Sequence, residues 1–226
     1  MRLSGKSLRV FLVFGLIGSS AGAQTITEFP LPEGSGRPRN IVAGPDGNLW
    51  FIEDLDGRPP GIGRITKTGE VVRFPIEEPR MGIAWDIAAG PDGNLWFTEA
   101  DDGRGALVRM TPSGAVTRWP RNNSEIPFGI AAGPDGNLWL SLAMGNADKG
   151  GVGRATTAGE VTLFLVPSLH GGFFENMPED ITAGPDGNVW FTEKLQRAIG
   201  RITPAGQLTE FPLPAGAGNP LGIVAG

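Results

Sequence analysis

The chain contains no cysteine among its 226 residues. Disulfide bonds, thiolate zinc sites and cysteine nucleophiles are therefore excluded, and so is a lipid-modified cysteine after a leader. Histidine is almost as scarce, because His170 is the only one. It is consequently the only candidate for an imidazole general base, and the chain otherwise offers carboxylates.

Helical patterning is also scarce. After the first twenty residues, apolar residues seldom recur at helical spacing, and no later segment is long and apolar enough to span a bilayer. Turn signals instead come about every 8–12 residues, which is typical of an all-β fold. Glycine (36) and proline (20) are abundant, but they recur at fixed places beside aromatic and aliphatic residues, which indicates turns and not disorder.

The first 23 residues have the pattern of a secretory signal peptide. Arg2, Lys6 and Arg9 precede an apolar stretch over residues 10–17, and Ala21-Gly22-Ala23 supplies small residues for cleavage. The alternative is a membrane anchor, but the apolar stretch is short for a bilayer. We therefore expect a secreted or periplasmic bacterial protein that has no membrane contact after cleavage.

Charge argues against one class of partner. Removal of the three basic leader residues changes the net charge from −5 to −8. An acidic protein is a poor candidate for binding the phosphate backbone, so nucleic acid is excluded as the expected partner. A small-molecule or peptide ligand, bound by a monomer, is the expectation instead.

A repeated heptapeptide organises the chain. Gly-Pro-Asp-Gly-Asn-Leu-Trp occurs three times, and a fourth copy has valine for leucine. The copies lie at 44–50, 90–96, 133–139 and 184–190, and a further 42 residues lead from the last copy to Gly226. Each unit contains four strand-like pieces separated by turns, and Asp-Gly between apolar runs is a strong hairpin signal. Four antiparallel strands in about 40–50 residues describe a propeller blade.

The sequence therefore predicts an all-β fold, a β-propeller of four-stranded antiparallel blades, over residues 24–226. The alternative is an open stack of hairpins or a β-sandwich. The expected segments are an N-terminal outer strand at 24–32, full blades at about 39–76, 84–120, 128–165 and 179–213, and an incomplete blade from 220. The orphan strands at both ends favour a partial propeller over a complete ring of four blades.

The repeat resembles the streptogramin lyase (virginiamycin B lyase) family. Its pattern is Gly-Ile-x-x-Gly-Pro-Asp-Gly-Asn-Leu-Trp-Phe-Thr-Glu, then Ile-Gly-Arg-Ile-Thr-x-x-Gly, then Thr-Glu-Phe-Pro-Leu-Pro, and residues 181–214 carry it almost unbroken. The resemblance implies a seven-bladed propeller that opens cyclic depsipeptides by elimination, with a bound magnesium ion and a catalytic histidine. It is specific for the propeller type and less so for the reaction.

This sequence departs from the family at the catalytic histidine. The family places it in a Pro-His-Gly-Ile-type segment where an inner strand begins, in later blades that we expect this chain to lack. The matching positions here hold no histidine; they hold Arg39, Trp85, Phe128, Glu179 and Leu221. No catalytic histidine is carried over from the resemblance.

Strand direction nevertheless predicts where a site would lie. If inner strands run from top to bottom, the top face collects their starts, the ends of the second strands and the long loop at 166–177, which joins the outer strand of the third unit to the inner strand of the fourth. Arg39, Trp85, Asp86, Phe128, Glu179, Asp180 and Leu221 then surround the mouth of the central channel, with Glu53, Glu99 and Glu193 at the same level. The loop adds His170, Phe173, Phe174 and Glu175, and loops on a rigid scaffold commonly carry function.

Each candidate has a functional and a structural interpretation. Catalysis would use His170 and Glu179, and oxygen ligands for magnesium would come from Glu179, Asp180 and Glu193. Substrate binding would use Arg39, Trp85, Phe128, Phe173 and Phe174. On the structural interpretation, the strand-end glutamates pair with Arg64, Arg109, Arg154 and Arg201, the repeated aspartates form turns and the repeated tryptophans pack between blades.

Three functions remain open from the sequence. The first is a magnesium-dependent carbon–oxygen lyase acting on a cyclic depsipeptide or related ester, which the family resemblance implies. The second is a propeller that binds a ligand or protein without catalysis. The third is a gluconolactonase-like metal hydrolase, for which only Asp86, Glu179 and Asp180 are available as ligands near the channel.

Overall fold

The part of the chain that the structure describes forms four antiparallel sheets of four strands and one sheet of two strands. The structure is a computed structural model that describes residues 7–8, 26–54, 61–76, 83–101, 104–121, 125–143, 150–167 and 178–226. Those residues contain no helix, and so no helix that could cross a membrane. The predicted leader lies outside the described residues except for Ser7 and Leu8.

The strands follow one another in chain order from the inner to the outer edge of each blade. Blade 1 consists of β3 (Arg37–Ala43), β4 (Leu49–Asp54), β5 (Gly61–Ile65) and β6 (Val71–Pro75). Blade 2 consists of β7 (Ile83–Ala89), β8 (Leu95–Asp101), β9 (Arg104–Met110) and β10 (Val116–Arg121). Blade 3 consists of β11 (Ile126–Ala132), β12 (Leu138–Ala143), β13 (Gly150–Ala155) and β14 (Val161–Leu165). Blade 4 consists of β15 (Ile181–Ala183), β16 (Val189–Glu193), β17 (Ala198–Ile202) and β18 (Leu208–Pro212). Two short strands, β1 (Ser7–Leu8) and β2 (Phe29–Pro30), pair before blade 1.

The prediction of a propeller built from four-stranded blades is confirmed. Every pair of neighbouring strands within a blade is antiparallel, and the same register recurs from blade to blade. For example, the repeated tryptophan opposes the repeated arginine, as Trp50 opposes Arg64 and Trp96 opposes Arg109. A sheet order that follows the chain is what successive short hairpins produce.

The Asp-Gly turn is tied directly to the tryptophan that follows it. In blade 2 the Asp92 carboxylate accepts hydrogen bonds from the Trp96 indole at 2.9 Å and from the Asn94 side chain at 2.8 Å. Burial raises the pKa of Asp92, but these bonds outweigh it and hold the pKa below its usual value. Gly93 supplies the positive φ (74°) that the turn needs. The first glycine, Gly90, is required because a Cβ there would collide with the indole.

The tryptophans fill the interfaces between blades, as predicted. Trp50, Trp96 and Trp139 have no exposed surface, and each belongs to a cluster of apolar residues that spans two successive blades. Trp190 is only partly buried, because no fifth blade packs on it in the structure. Each indole stacks on an outer-strand aromatic ring, such as Trp96 on Trp119 at 5.2 Å between ring centroids.

The predicted partners of the repeated arginines were wrong. Arg64 lies over the rings of Trp50 and Phe74, with its guanidinium carbon 5.5 and 5.6 Å from their centroids, and Arg109 is placed in the same way in blade 2. Their nearest carboxylates are the turn aspartates, at 3.8 Å in blade 1 and 4.0 Å in blade 2. These arginines therefore act through cation–π stacking and not through the strand-end glutamates.

In blades 1 and 2 the strand-end glutamates instead pair with arginines on the outer strand. Glu53 accepts a hydrogen bond from Arg73 Nε at 2.6 Å, and Glu99 one from Arg118 Nε at 3.3 Å. Both glutamates are fully buried. Blade 3 replaces both members of the pair, with Leu142 and Leu163 at the matching positions. The same pair of positions is therefore charged in blades 1 and 2 and apolar in blade 3.

The N-terminal strand packs in the place of an outer strand of a preceding blade. Phe29 packs over Gly69 in the last turn of blade 1. Phe74 packs in the same way over Gly114 of blade 2, and Trp119 over Gly159 of blade 3. Phe29 also packs with apolar residues of blade 1. At the other end, residues 213–226 contain no strand.

The inner strands of blades 2 and 3 are joined by an aspartate and a threonine. Asp86 Oδ2 accepts a hydrogen bond from the Ile130 amide at 2.9 Å, and Thr98 Oγ1 donates to the carbonyl of Phe128. Asp86 Oδ1 also accepts one from the Asn40 side chain of blade 1 at 2.8 Å. We call this arrangement, an inner-strand aspartate and a second-strand threonine bonded to the next inner strand, the Asp–Thr clamp.

A second Asp–Thr clamp joins blade 4 to the residues that follow it. Asp180 Oδ2 accepts a hydrogen bond from the Ile223 amide at 2.8 Å, and Thr192 Oγ1 donates to the Leu221 carbonyl at 3.0 Å. Blade 3 has Gly129 at the aspartate position, so no such carboxylate reaches from blade 3 to blade 4. The clamps therefore recur every second blade.

The two forms of the strand-end pair predict an asymmetry in stability. Arg118→Leu alone leaves the buried Glu99 carboxylate without this cation, which we expect to cost about 3–5 kcal/mol of unfolding free energy. Glu99→Leu combined with Arg118→Leu recreates the apolar pair of blade 3, so the double variant should lie within about 1 kcal/mol of the original chain. Urea unfolding followed by tryptophan fluorescence measures both. A double variant as unstable as the single one would contradict this interpretation.

The raised pKa of Asp86, the aspartate of the first clamp, predicts how the stability of the fold changes with pH. Burial raises the pKa of Asp86 above its ordinary value of 3.8, despite the hydrogen bonds it accepts from Ile130, Asn40 and Ile87. A raised folded-state pKa stabilises the fold at pH values below the unfolded pKa, and this contribution is lost as the pH rises through the folded value. The stability advantage of the original chain over Asp86→Asn should therefore shrink as the pH rises from about 4 to about 7.

Asp92→Asn is the matched control in the same blade. The pKa of Asp92 is lowered, so its contribution to stability is present above the unfolded pKa and is lost as the pH falls. The advantage over Asp92→Asn should therefore change with pH in the opposite direction. Urea midpoints measured from about pH 2.5 to about pH 7 test both signs, because the contribution of Asp92 is lost only below its unfolded pKa of about 4. Parallel curves for the two variants would disprove the assignment.

Candidate functional site

An open cavity of about 500 Å³ lies where the inner strands begin. Its lining comes from the first residues of successive inner strands and from the segment after blade 4. The lining residues are Arg39, Asn40, Ile41, Trp85, Asp86, Ile87, Phe128, Gly129, Glu179, Asp180 and Leu221. The structure thus brings together the seven residues that strand direction placed at the channel mouth. Their roles in binding or catalysis stay predictions.

Trp85 and Phe128 form an aromatic wall across blades 2 and 3. Their rings meet edge to face, with centroids 5.0 Å apart and planes at 74°. The Trp85 indole donates a hydrogen bond to the Ala100 carbonyl at 3.2 Å, and its backbone carbonyl accepts one from Asn40 at 3.0 Å. The carbonyl of Phe128 is held by the Asp–Thr clamp. Both aromatic residues are therefore fixed by the strands that carry them.

The guanidinium group of Arg39 lies beside this wall and is only weakly held. The guanidinium carbon of Arg39 lies 5.9 Å from the centroid of the Trp85 ring. Arg39 also meets Asp54, with 3.4 Å between Nη1 and Oδ2, and more than a third of each side chain is exposed. A pair of this kind contributes about 0–1 kcal/mol, because water competes for both charges.

The carboxylates of Asp86 and Asp180 are engaged by backbone amides. Asp86 accepts hydrogen bonds from the Ile87 and Ile130 amides and from the Asn40 side chain. Asp180 accepts bonds from the Ile181 and Ile223 amides, both at 2.8 Å. These oxygens hold the inner strands together and are poorly suited to leave them for a metal ion.

The other predicted acidic ligands do not complete a metal site. Glu179 meets Lys194, with 3.4 Å between Oε1 and Nζ. Glu193 is fully buried at the end of β16 and does not line the cavity. Within the described part of the chain, no three histidine, cysteine, aspartate or glutamate side chains are grouped so that they could hold a metal ion. The residues present here therefore do not fit a magnesium centre.

Three of the predicted site residues, His170, Phe173 and Phe174, lie outside the described residues. Four residues in the lining were missed from the sequence, namely Asn40, Ile41, Ile87 and Gly129. Asn40 has a positive φ of 39°. The signal for it was its place in the repeat, where the other blades have aspartate or glycine.

A bulge in the inner strand directs these side chains toward the mouth. The register shifts between Arg39 and Ile41 in blade 1 and between Ala84 and Ile87 in blade 2. In blades 2 to 4 a hydroxyl of the second strand accepts the bulge amide, as Thr98 accepts the Asp86 amide at 3.2 Å. Bulges commonly re-aim side chains next to functional sites.

The arrangement can bind but has few groups for chemistry. Apolar and aromatic surfaces, one exposed cation and one exposed carboxylate, that of Glu179, face the cavity. Its remaining carboxylates serve the backbone. The lining contains no histidine, so its described residues offer no imidazole general base.

Known proteins share this architecture. The model of the Virginiamycin B lyase family matches residues 24–226. A virginiamycin B lyase from Nocardia farcinica is 31% identical over 200 residues, which cover 88% of this chain and 63% of that protein. A virginiamycin B lyase from Bordetella bronchiseptica is 44% identical over 46 residues, which cover 20% of this chain and 15% of that protein.

Solved structures give the same result. Selenomethionine-substituted virginiamycin B lyase from Staphylococcus aureus superposes with a TM-score of 0.74 and 34% identity over 89% of this chain and 64% of that one. A catalytically inactive histidine-to-alanine variant of the Staphylococcus aureus enzyme, solved with quinupristin, gives 0.73 and 33% over the same shares. A gluconolactonase from Xanthomonas campestris, 19% identical over 82% of this chain and 64% of that one with a TM-score of 0.59, shares the fold alone.

The match extends over almost the whole of this chain but not over the relatives. The chain spans 63% of the Nocardia farcinica protein and 64% of the Staphylococcus aureus structures. From its blade repeat, its sheet topology and these similarities, the chain belongs to the Virginiamycin B lyase family.

Proposed function

We propose that this chain is an exported propeller that binds a cyclic peptide-like ligand at the mouth of its channel. The observation that carries the proposal is the aromatic wall of Trp85 and Phe128, which lines a cavity of about 500 Å³. Cavities of about 300–1,000 Å³ with aromatic walls and few polar groups are typical of small-molecule sites. The family relative solved with quinupristin supports a ligand of this class.

The wall is suited to ligand binding because it is already in place. Trp85 is held at its indole and at its backbone carbonyl, and Phe128 at its carbonyl. A ligand therefore does not have to order these residues, and preorganisation of this kind improves affinity. The apolar neighbours Ile41 and Leu221 are exposed at 47% and 55% and extend the contact surface.

Carbon–oxygen lyase activity is the second candidate. It is favoured by the 31–34% identity to virginiamycin B lyases over most of the chain. In that reaction the residues described here would hold the ligand by its apolar face and exclude water from it. Because these residues do not fit magnesium, no step of the reaction is assigned to the metal.

Export is part of the proposal. The leader pattern over residues 1–23 supports it, since the basic start, the apolar stretch and the small residues at 21–23 occur in that order. A ligand that reaches the cell from outside would then meet the propeller before it meets the cytoplasm.

Truncation of the aromatic wall should weaken binding. Trp85→Ala should lower affinity for quinupristin by about tenfold or more, because it removes the half-buried ring that lines the cavity. Phe128→Ala should lower it as well, because Phe128 is only 3% exposed and supports the Trp85 ring edge to face. Isothermal titration calorimetry measures this. Phe211→Ala is the matched control, since Phe211 is an exposed aromatic residue on the outer strand of blade 4 and does not line the cavity. Equal losses in all three variants would contradict the proposed site.

The fate of the ligand separates the candidate functions. We expect virginiamycin B to be recovered as the intact ring after incubation with the chain, with or without added magnesium. Elimination would give a linear product of unchanged mass, whereas hydrolysis would add one water. Chromatography coupled to mass spectrometry distinguishes all three outcomes. A linear isomer would establish the lyase instead, and a product heavier by one water would establish a hydrolase.

A further inference from the structure

One position of the repeat contributes five side chains to the cavity, and their chemistry changes in order around the mouth. The position lies two residues before the isoleucine of each of the four inner strands, and two residues before Ile223 in the segment that follows blade 4. It is occupied in turn by Arg39, Trp85, Phe128, Glu179 and Leu221, all of which line the cavity. The sequence around the mouth is thus a cation, two aromatic rings, an anion and an aliphatic side chain.

Building on the proposed ligand cavity, we propose that the mouth selects a dipolar, peptide-like ligand. An anionic group of the ligand lies at Arg39, an aromatic or apolar body lies against Trp85 and Phe128, and a cationic group lies at Glu179. The aromatic wall sits on the two blades between the charges. The ligand's orientation is therefore set by the order of the blades.

The charge at Arg39 is available to a ligand. Its partner Asp54 does not line the cavity and lies 3.4 Å away, and the side chains are 39% and 38% exposed. Exposed pairs of this kind are weak, so a ligand carboxylate can replace Asp54 at little cost. The position of the guanidinium over Trp85 also places it next to any ring bound on the wall.

The charge at Glu179 is available in the same way. Its partner Lys194 also lies outside the lining, at 3.4 Å, and the side chains of Lys194 and Glu179 are 39% and 32% exposed. A ligand ammonium group can therefore take the place of Lys194. Asp86 and Asp180 differ, because backbone amides engage their oxygens. Of the acidic lining residues, Glu179 is the one suited to exchange its partner.

The distribution of charge disfavours ligands of a single sign. Asp86, Glu179 and Asp180 make much of the lining acidic, which opposes a purely anionic ligand. A purely cationic ligand has no anionic group that could pair with Arg39. A ligand whose two opposite charges are separated by an apolar body can pair with both Arg39 and Glu179.

Four forms of one peptide test the proposal. Phe-Gly-Phe with free termini carries both charges, its acetylated form keeps only the carboxylate, its amide keeps only the ammonium group, and the form with both ends blocked is neutral. A fully extended tripeptide is about 10 Å long. Calorimetric titration of each form into the chain, with Trp85→Ala as the control for the cavity, gives the affinities.

The free peptide should bind tightest. Arg39→Gln should weaken the two forms that carry a carboxylate by about fivefold and leave the other two unchanged, and Glu179→Gln should act in the same way on the two forms that carry an ammonium group. Asp54→Asn and Lys194→Gln remove the competing partners, so each should tighten the corresponding forms.

The outcomes separate this inference from the proposed function. Binding of all four forms with equal affinity, lost in Trp85→Ala, would overturn the dipolar selection and leave the cavity as a ligand site. Equal effects of Arg39→Gln on charged and blocked forms would overturn it as well. If none of the four forms binds in a way that depends on Trp85, the dipolar selection is refuted, whereas the proposed ligand cavity is decided separately by the titration with quinupristin.

Discussion

The hydrogen bond from the repeated tryptophan to the repeated turn aspartate is the interaction on which the architecture depends. It measures 2.9 to 3.0 Å in each of the four blades. The aspartate shapes the turn between the two innermost strands, and the tryptophan fills the space between blades. Because one bond fixes both, the turn cannot form in its native geometry without placing the interblade side chain. Local chain reversal and blade packing are thus specified by the same seven residues.

This coupling leaves the opposite ends of the inner strands free to vary. The turn end repeats almost without change, whereas the mouth end has arginine, tryptophan, phenylalanine, glutamate and leucine at one position. The side chains at the mouth can vary as long as the inner strands keep their positions. The two Asp–Thr clamps, in blades 2 and 4, hold the strands in those positions. A repeat scaffold can in this way carry a cavity with no internal symmetry, which a ligand without symmetry needs.

The sequence predicted the blades and the mouth better than it predicted the polar contacts. Turn chemistry and strand direction are local properties, so they placed Trp85, Phe128 and Glu179 around one cavity. The partner of Glu53 was wrong because Arg64 is closer in sequence but opposes Trp50 and stacks on its ring. Glu53 instead reaches across β5 to Arg73 on the outer strand. The clamps were missed because they join residues 29 to 44 positions apart.

The carboxylates at the mouth also bear on the choice between binding and catalysis. An acidic residue can hold a metal or move a proton only if its oxygens are free to change partners during the reaction. Asp86 and Asp180 are held by amides of two successive inner strands, so recruiting them for a metal would loosen the strands that position the aromatic wall. The mouth therefore uses its amide-bonded acids, Asp86 and Asp180, for rigidity and its exposed charges for recognition. On this division of roles, any lyase chemistry has to be supplied by groups other than the aspartates that hold the mouth together.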